Sequence, residues 1–332
     1  MPDPKRAAVI FNPIKVDTVA LRSAVDSAAS AAGWAESLGF ETTVEDVGQK
    51  VTKQALDNGI DLVIAAGGDG TVRAVAEALQ GSQTPLALLP SGTGNLLARN
   101  LKLTLDDLPP SVDVAFTGID KKVDLGSVNI ERADRTRDRH AFLVMAGMGI
   151  DAKMIKNTDD DLKAKVGWAA YVRAIIDSLR DPDELHLQYR LDEHQLTRAT
   201  VHTLIVGNCG SLPGKILLMP DAQLDDGLFD LMMTRPTGII GWLNVWARVA
   251  WLNGVIRRTK AGRAVIGEHT NDARLHYRTG QRFTARLSRP EEIQLDGDGQ
   301  RADSQAHATT GSARRCSFED RDERIHSPGK LC

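Results

Sequence analysis

The sequence predicts a two-part molecule: an α/β N-terminal domain on a parallel sheet, then a mainly antiparallel β-sandwich domain that also carries helices. Three observations predict it. The opening third alternates short apolar runs with amphipathic stretches, as strands buried on both faces by crossover helices do. Beyond Pro109-Pro110 that rhythm yields to short strand-like pieces separated by Gly- and Asp-containing turns, the pattern of a sandwich. The 332 residues also exceed one ordinary domain of roughly 100–200 residues. The expected division is an α/β domain over 1–122, a β-rich domain over 123–299 and an atypical tail over 300–332.

The elements follow in order. Ala7 to Phe11 is an apolar run ended by the turn pair Asn12-Pro13. Leu21, Val25, Ala28, Ala32 and Leu38 recur at helical spacing, with Gly39 placed to end the helix. Glu41 to Val47 reads as a strand, Lys50 to Asp57 as a short helix and Asp61 to Ala66 as a buried strand. Val72 to Leu79, Pro85 to Leu89 and Asn95 to Leu101 continue the alternation as helix, strand and helix. The later strand candidates are Val112 to Phe116, Lys122 to Val128, Ala141 to Ala146, Glu184 to Leu191, Thr200 to Gly207, Gly227 to Met233 and Gln281 to Leu287. Leu162 to Leu179 and Ile239 to Ile256 read as helices. From Gln300 to Cys332 so few aliphatic and Phe residues remain that disorder is expected.

Composition narrows the classes. Charged residues are 26% and hydrophobic ones 42%, and 41 Lys plus Arg against 44 Asp plus Glu leave a net charge of −3. That excludes a histone-like protein, and no nucleic-acid partner is expected. The start MPDPKRAAVIF lacks the apolar core of a signal peptide. Cys209, Cys316 and Cys332 form no CxxC pair, which supports neither a disulfide framework nor a zinc site. A cytoplasmic setting is expected.

Two glycine-rich turns carry the chemistry. Gly67, Gly68, Asp69, Gly70 and Thr71 stand between a strand and a helix. Glycines let backbone N–H groups approach an anion, and the helix start offers unpaired N–H groups. Asp69 is the odd residue, because a carboxylate repels a phosphate unless a cation lies between them. Magnesium, bound directly or through water, is one reading of Asp69; a tight turn with Asp capping the helix is the other. Ser91, Gly92, Thr93, Gly94 and Asn95 form a second such turn. Both would face one crevice at the carboxyl ends of the strands, and the Phe11-Asn12-Pro13 turn would line it too. There is no GK[ST], hence no P-loop. Gly147 to Ala152 matches G-x-G-x-x-A but comes too late for a dinucleotide fingerprint, so close backbone packing is expected there. Pro220 to Asp230 concentrates acids, read either as a cation site using Asp226 or as a solvated turn. In Leu295 to Gly299, Asp296 and Asp298 flank Gly297 as in a hairpin turn.

Taken together in this order, FNP, GGDGT, SGTGN, PDAQLDDGLFD and the late DGD resemble the diacylglycerol kinase catalytic family from about residue 7 to 299, and GTGNLLARNL and GNCGSLPG resemble its actinobacterial members in particular. The resemblance implies a Rossmann-like first domain akin to NAD kinases and phosphofructokinases, and an ATP-dependent, magnesium-requiring lipid kinase that converts diacylglycerol to phosphatidic acid. ATP would lie in the first domain's crevice and the lipid between the domains. Asn12, Pro13, Ile14, Lys15 and Val16 would run along the nucleotide. Gly67, Gly68, Asp69, Gly70, Thr71, Val72, Arg73 and Ala74 would cradle its phosphates, joined by Ser91, Gly92, Thr93, Gly94 and Asn95. Asp69 would also place the magnesium, while Gln223, Asp226 and Leu228 would hold a structural one. Asp298 would stand as catalytic base.

This sequence departs from the family at three points. Asp298 replaces the usual Glu, Leu96 replaces the usual acid after the GTGN asparagine, and the closing apolar strand is missing after Gln300. Other readings stay open: a sphingoid-base or other lipid kinase, an NAD-kinase-like small-molecule kinase, and a non-catalytic nucleotide- or lipid-binding protein. The lipid would be met at a membrane surface. Trp242, Trp246 and Trp251, followed by Arg257, Arg258 and Lys260, suit either docking on the inner face of the plasma membrane or a core helix. A homodimer is also left open.

Overall fold

The computed structural model describes residues 3–91, 94–104, 107–132, 134–149, 184–212, 216–235, 275–291, 293–296 and 313–328. The helices expected at 162–179 and 239–256 therefore lie outside the described residues.

The N-terminal part is a parallel sheet of β1 (Ala7–Phe11), β2 (Leu38–Glu41), β3 (Leu62–Gly67) and β4 (Leu86–Pro90), in the order β2-β1-β3-β4. Alternate residues of each strand go to opposite cores, as the period of two requires. Ala7, Val9, Leu62, Ile64 and Leu89 pack against α1 (Thr18–Ala31) and α5 (Leu108–Thr117). Ala8, Ile10, Val63, Ala65 and Leu88 pack on the other side, against α2 (Gln49–Asp57), α3 (Asp69–Ala78) and α4 (Leu96–Asn100).

Three expectations here are corrected. The first helix stops at Ala31, because Gly33 takes φ +74° and donates its N–H to the Ser30 carbonyl, while Trp34 donates its N–H to the Ala29 carbonyl, closing the turn. Gly39 thus belongs to β2, and most of the segment read as a strand, Glu41 to Val47, is a turn built on Thr43 and Asp46. Val112 to Phe116 is helical. Pro109 and Pro110 sit in the first turn of α5, where a missing N–H costs nothing, and Leu108, Val112, Ala115 and Phe116 share its buried face.

Among the described residues, the later strands form two large antiparallel sheets and one short antiparallel pair. The strands are β5 (Asp120–Arg132), β6 (Arg137–Phe142), β7 (Met145–Gly149), β8 (Leu185–Leu191), β9 (Thr197–Val201), β10 (Thr203–Gly207), the short pair β11 (Ser211–Leu212) and β12 (Ile216–Leu217), β13 (Phe229–Thr234), β14 (Leu275–Gly280), β15 (Arg282–Glu291), β16 (Ile293–Leu295) and β17 (Ala313–Pro328). One sheet runs β14-β13-β10-β7-β16 and the other β6-β5-β17-β15-β8-β9. They face each other across a core that includes Val206, Phe229, Leu231 and Phe283. The outer face of the first sheet, through Ile205 and Met232, joins the core under α3 and α4. The parallel sheet and the sandwich thereby share one apolar layer. As expected, Gly147 and Gly149 lie in a packed strand: a Cβ on Gly149 would collide with the carbonyl oxygen of His202.

The tail departs from its composition. Residues 313–328 form β17, paired with β5 on one side and β15 on the other. Without it those two strands would each present a row of unpaired N–H and C=O groups. Backbone pairing supplies this order, which a count of apolar side chains does not register.

Candidate active site

The order β2-β1-β3-β4 reverses direction between β1 and β3, which opens a crevice at their carboxyl ends. Phe11, Gly67 and Pro90 end the strands there, so the three turns singled out in the sequence meet at one edge.

The first turn is tight. Asn12 donates its N–H to the Ala66 carbonyl (3.2 Å), and its side-chain oxygen accepts from Ile14 N–H (3.0 Å). The Asn12 carbonyl accepts from Lys15 N–H (3.0 Å). Ile14 stands at the surface, 88% exposed. Lys15 turns back to the second turn: a Cβ on Gly68 would lie 3.6 Å from its Nζ.

In the second turn only glycine fits at Gly67, since a Cβ would come within 2.7 Å of Thr71 Cβ and Oγ1. The Val72 N–H closes the first helical bond, to Gly68 (3.1 Å). Gly70 and Thr71 therefore belong to the opening turn of α3, whose N–H groups no carbonyl of the helix can reach. The side chain of Arg73 lies against its own helix, with Nη1 3.7 Å from Glu77 Oε2.

The third turn is tied to the second. Ser91 donates its N–H to the Gly67 carbonyl (3.1 Å), and Asn95 adopts φ +48° as N-cap of α4. Gly92 and Thr93 lie outside the described residues. Asp69 Oδ1 accepts the Leu96 N–H at 2.6 Å, and a Cβ on Gly94 would collide with Asp69 Oδ2. Asp69 therefore opens α3 yet caps α4, across the crevice floor. Leu96 buries its side chain and contributes its N–H.

Gln223, Asp226 and Leu228 share the turn before β13. Asp226 Oδ1 accepts the Leu228 N–H (3.0 Å), and the neighbouring Gly227 donates its N–H to Asp124 Oδ2 (2.7 Å). Asp230, the second residue of β13, is pushed up to about 6 by burial, with the charges of Asp226 and Asp221 adding to the rise and a bond from Thr279 opposing it. A hard cation held by oxygens of this turn would offset that accumulated negative charge. Among the described residues no group of three His, Cys, Asp or Glu side chains converges as a ready metal cage.

Asp298 lies outside the described residues, but Asp296 does not. It is 1% exposed, takes φ +56°, and its carboxylate accepts the N–H groups of Leu143, Val144 and Met145 at 2.8 to 3.1 Å. Burial raises it to about 6 against the pull of those bonds and of the Arg73 charge. Burial and the Asp296 charge in turn push the Cys209 thiol up.

Sequence reasoning missed three features. Asp124, 4% exposed within the apolar run of β5, accepts from Gly227, while Asn208 Nδ2 donates to the Asp124 carbonyl (2.8 Å); an acid between Val123 and Leu125 was the available signal. Asn100 Nδ2 donates to the Ser211 carbonyl and its Oδ1 accepts Ser211 N–H (3.0 and 3.2 Å), tying α4 to the sandwich. Glu77, one helical turn from Arg73, had no signal beyond that spacing.

The family profile described as the diacylglycerol kinase catalytic domain matches residues 6–128, and that of the YegS C-terminal NAD kinase beta sandwich-like domain matches residues 144–310. A diacylglycerol kinase of Bacillus subtilis is 28% identical over 301 residues, covering 89% of this chain and 90% of its own. A probable lipid kinase YegS-like of Pseudomonas fluorescens is 31% identical over 246 residues, covering 72% and 75%. Among solved structures, a diacylglycerol kinase from Bacillus anthracis superposes with a TM-score of 0.66 at 17% identity, over 99% of this chain and 98% of that one. Yeast NADH kinase gives 0.52 at 13%, over 99% and 85%.

Proposed function

This chain belongs to the diacylglycerol kinase catalytic family, and from that premise we propose that it transfers the γ-phosphate of ATP to the hydroxyl of diacylglycerol, or of a related lipid, to give phosphatidic acid or its analogue. The observation that carries the reading is the Asp69 carboxylate, which joins the two glycine-rich turns at the switch point of the sheet.

Phosphoryl transfer asks the protein for positioning and charge neutralisation more than for covalent chemistry. The opening N–H groups of α3 and the Ser91–Asn95 turn receive the phosphates, and the Lys15 ammonium over Gly68 adds positive charge. Asp69 would hold magnesium, whose role is to neutralise charge on the phosphate oxygens. The lipid hydroxyl oxygen attacks the γ-phosphorus, the bond to the β,γ-bridging oxygen breaks, and ADP leaves. Asp298 takes the hydroxyl proton. The buried Asp296 stands two residues before Asp298 in sequence, held by the N–H groups of Leu143, Val144 and Met145. The turn of Gln223, Asp226 and Leu228 would hold a second, structural magnesium.

No helix among the described residues is long and apolar enough to cross a membrane. In this reading the lipid is met at the bilayer surface, on its cytoplasmic face. A phosphotransfer assay with labelled ATP and magnesium, over diacylglycerol, monoacylglycerol, sphingoid base and isoprenoid alcohol in mixed micelles and with NAD as a soluble control, tests the proposal. Label in a lipid that disappears with Asp69→Asn supports it. Label in NAD alone, or in nothing, rejects it.

A further inference from the structure

One amide joins the short helix after the third turn to the sandwich. Asn100, half-buried at the end of α4, donates from Nδ2 to the Leu96 carbonyl at 2.8 Å and to the Ser211 carbonyl at 3.0 Å, while its Oδ1 accepts the Ser211 N–H at 3.2 Å. Only a carboxamide offers both kinds of partner from one planar group; an aspartate would set its charge against two carbonyl oxygens. Leu96 is held on both sides, its N–H by Asp69 Oδ1 at 2.6 Å and its carbonyl by Asn100. A chain of contacts thus runs from the carboxylate between the two glycine-rich turns, through one turn of helix, to the backbone of β11. A cap on α4 needs only the bond to Leu96. The paired bonds to Ser211, 111 residues further along the chain, do nothing for α4 itself. The hairpin they hold is stiff. Leu218 and Met219 donate their N–H groups to the Gly210 carbonyl (2.7 and 3.2 Å), and the Tyr277 hydroxyl donates to the Leu218 carbonyl at 2.9 Å. A Cβ on Gly210 would collide with the Met219 carbonyl oxygen.

Resting on the phosphotransfer reading above, we infer that Asn100 is a positioning residue of the reaction, which sets the β11–β12 hairpin against the helix that Asp69 caps. ATP and magnesium at Asp69 fix α4 through Leu96, and Asn100 passes that order on to Ser211. The apolar layer beneath, where Leu97 and Leu101 meet Met219 and Leu212, is non-directional and tolerates sliding. The two-point amide contact fixes the register that the layer leaves free. Asn100 touches no reacting atom; it keeps the half that receives the nucleotide at a set distance from the half that faces it.

Three variants of the full chain test this. Asn100→Leu keeps the size and loses every bond. Asn100→Asp keeps an acceptor for the Ser211 N–H but turns a charge on both carbonyls. Tyr277→Phe frees the Leu218 carbonyl on the sandwich side of the same hairpin and leaves α4 alone. Urea unfolding first fixes a temperature at which all are folded. There, both Asn100 variants should lose about 10²-fold in kcat, the cost of a misplacement of about 1 Å, with KM for ATP unchanged. Tyr277→Phe should keep the wild-type kcat. In amide hydrogen exchange, ATP with magnesium should slow residues 67–75 and 208–212 of the wild type, and only 67–75 in the Asn100 variants. Asn100 variants that lose stability but keep kcat, an equal loss of kcat in Tyr277→Phe, or slowing at 67–75 without slowing at 208–212 in the wild type overturns the proposal. The exchange arm needs no transfer, so a wild type that phosphorylates no lipid would reject the kinase reading while exchange still decided the link. Absence of slowing at 67–75 as well would reject the nucleotide site and the link with it. Should neither Asn100 variant fold, the wild-type exchange pattern decides alone.

Discussion

Asp69 Oδ1 accepts the Leu96 N–H at 2.6 Å, so one carboxylate caps the helix after the second glycine-rich turn while standing in the first. The two roles separate by substitution. Asp69→Ala loses the cap, worth about 0.5–2 kcal/mol, and should lower the unfolding free energy by that amount. Asp69→Asn keeps an oxygen for Leu96 but not the charge. It should fold with little loss of stability and yet lose at least about 10²-fold in kcat, the effect of removing a contribution of several kcal/mol to charge neutralisation. Normal turnover in Asp69→Asn would show the residue to be a cap alone.

Gly94 is the counterpart of that contact. A methyl group there collides with Asp69 Oδ2, and the neighbour cannot yield without releasing Leu96. Gly94→Ala should cost about 1–3 kcal/mol of stability and weaken ATP binding by calorimetry, whereas Gly81→Ala, where a Cβ meets nothing within 4 Å, tests only the backbone strain of a positive φ. An ATP affinity equal in both variants would detach Gly94 from the site.

Asp296 predicts a signed pH dependence. Its folded value is about 6, above the unfolded value of about 3.9. The folded state therefore binds the proton more tightly, and its contribution to stability is present below pH 4 and lost as pH rises through about 6. A rise of about two units corresponds to about 3 kcal/mol. Asp296→Asn removes the ionisation. Its unfolding free energy minus that of wild type should therefore grow by that order between pH 4 and pH 7. A flat difference would mean that Asp296 stays ionised throughout.

How far the sequence was legible follows from what it had to specify. Three of the four parallel strands, β1, β3 and β4, and the turns at Asn12, Gly67 and Ser91 were readable because apolar runs and glycines act locally. The α5 helix was misread because Pro109-Pro110 breaks a helix interior and equally begins one. Asp296 read as a hairpin acid, since nothing nearby in sequence announces donors at 143–145. For β17 the partners lie in β5 and β15, far from any pattern in the tail. Deleting residues 313–332 should therefore expose two strand edges and turn a soluble species into one that associates at micromolar concentration by light scattering. A monodisperse truncation with unchanged Tm would remove β17 from the fold.

The departure at position 298 gives the sharpest chemical test. An aspartate reaches roughly 1 Å less far than a glutamate, and a misplacement of that size in a reacting group can cost about 10²-fold. If Asp298 is the base, Asp298→Ala should lower kcat by about 10²–10⁴-fold with KM for ATP unchanged, because the proton is taken from the lipid. Asp298→Glu then distinguishes two geometries. If the backbone has moved inward to suit the shorter acid, the longer side chain overreaches and kcat falls. If it has not, Glu supplies the missing reach and kcat rises above wild type. An Asp298→Ala enzyme with full turnover would take the base away from this position, and Asp298→Glu would then be silent as well.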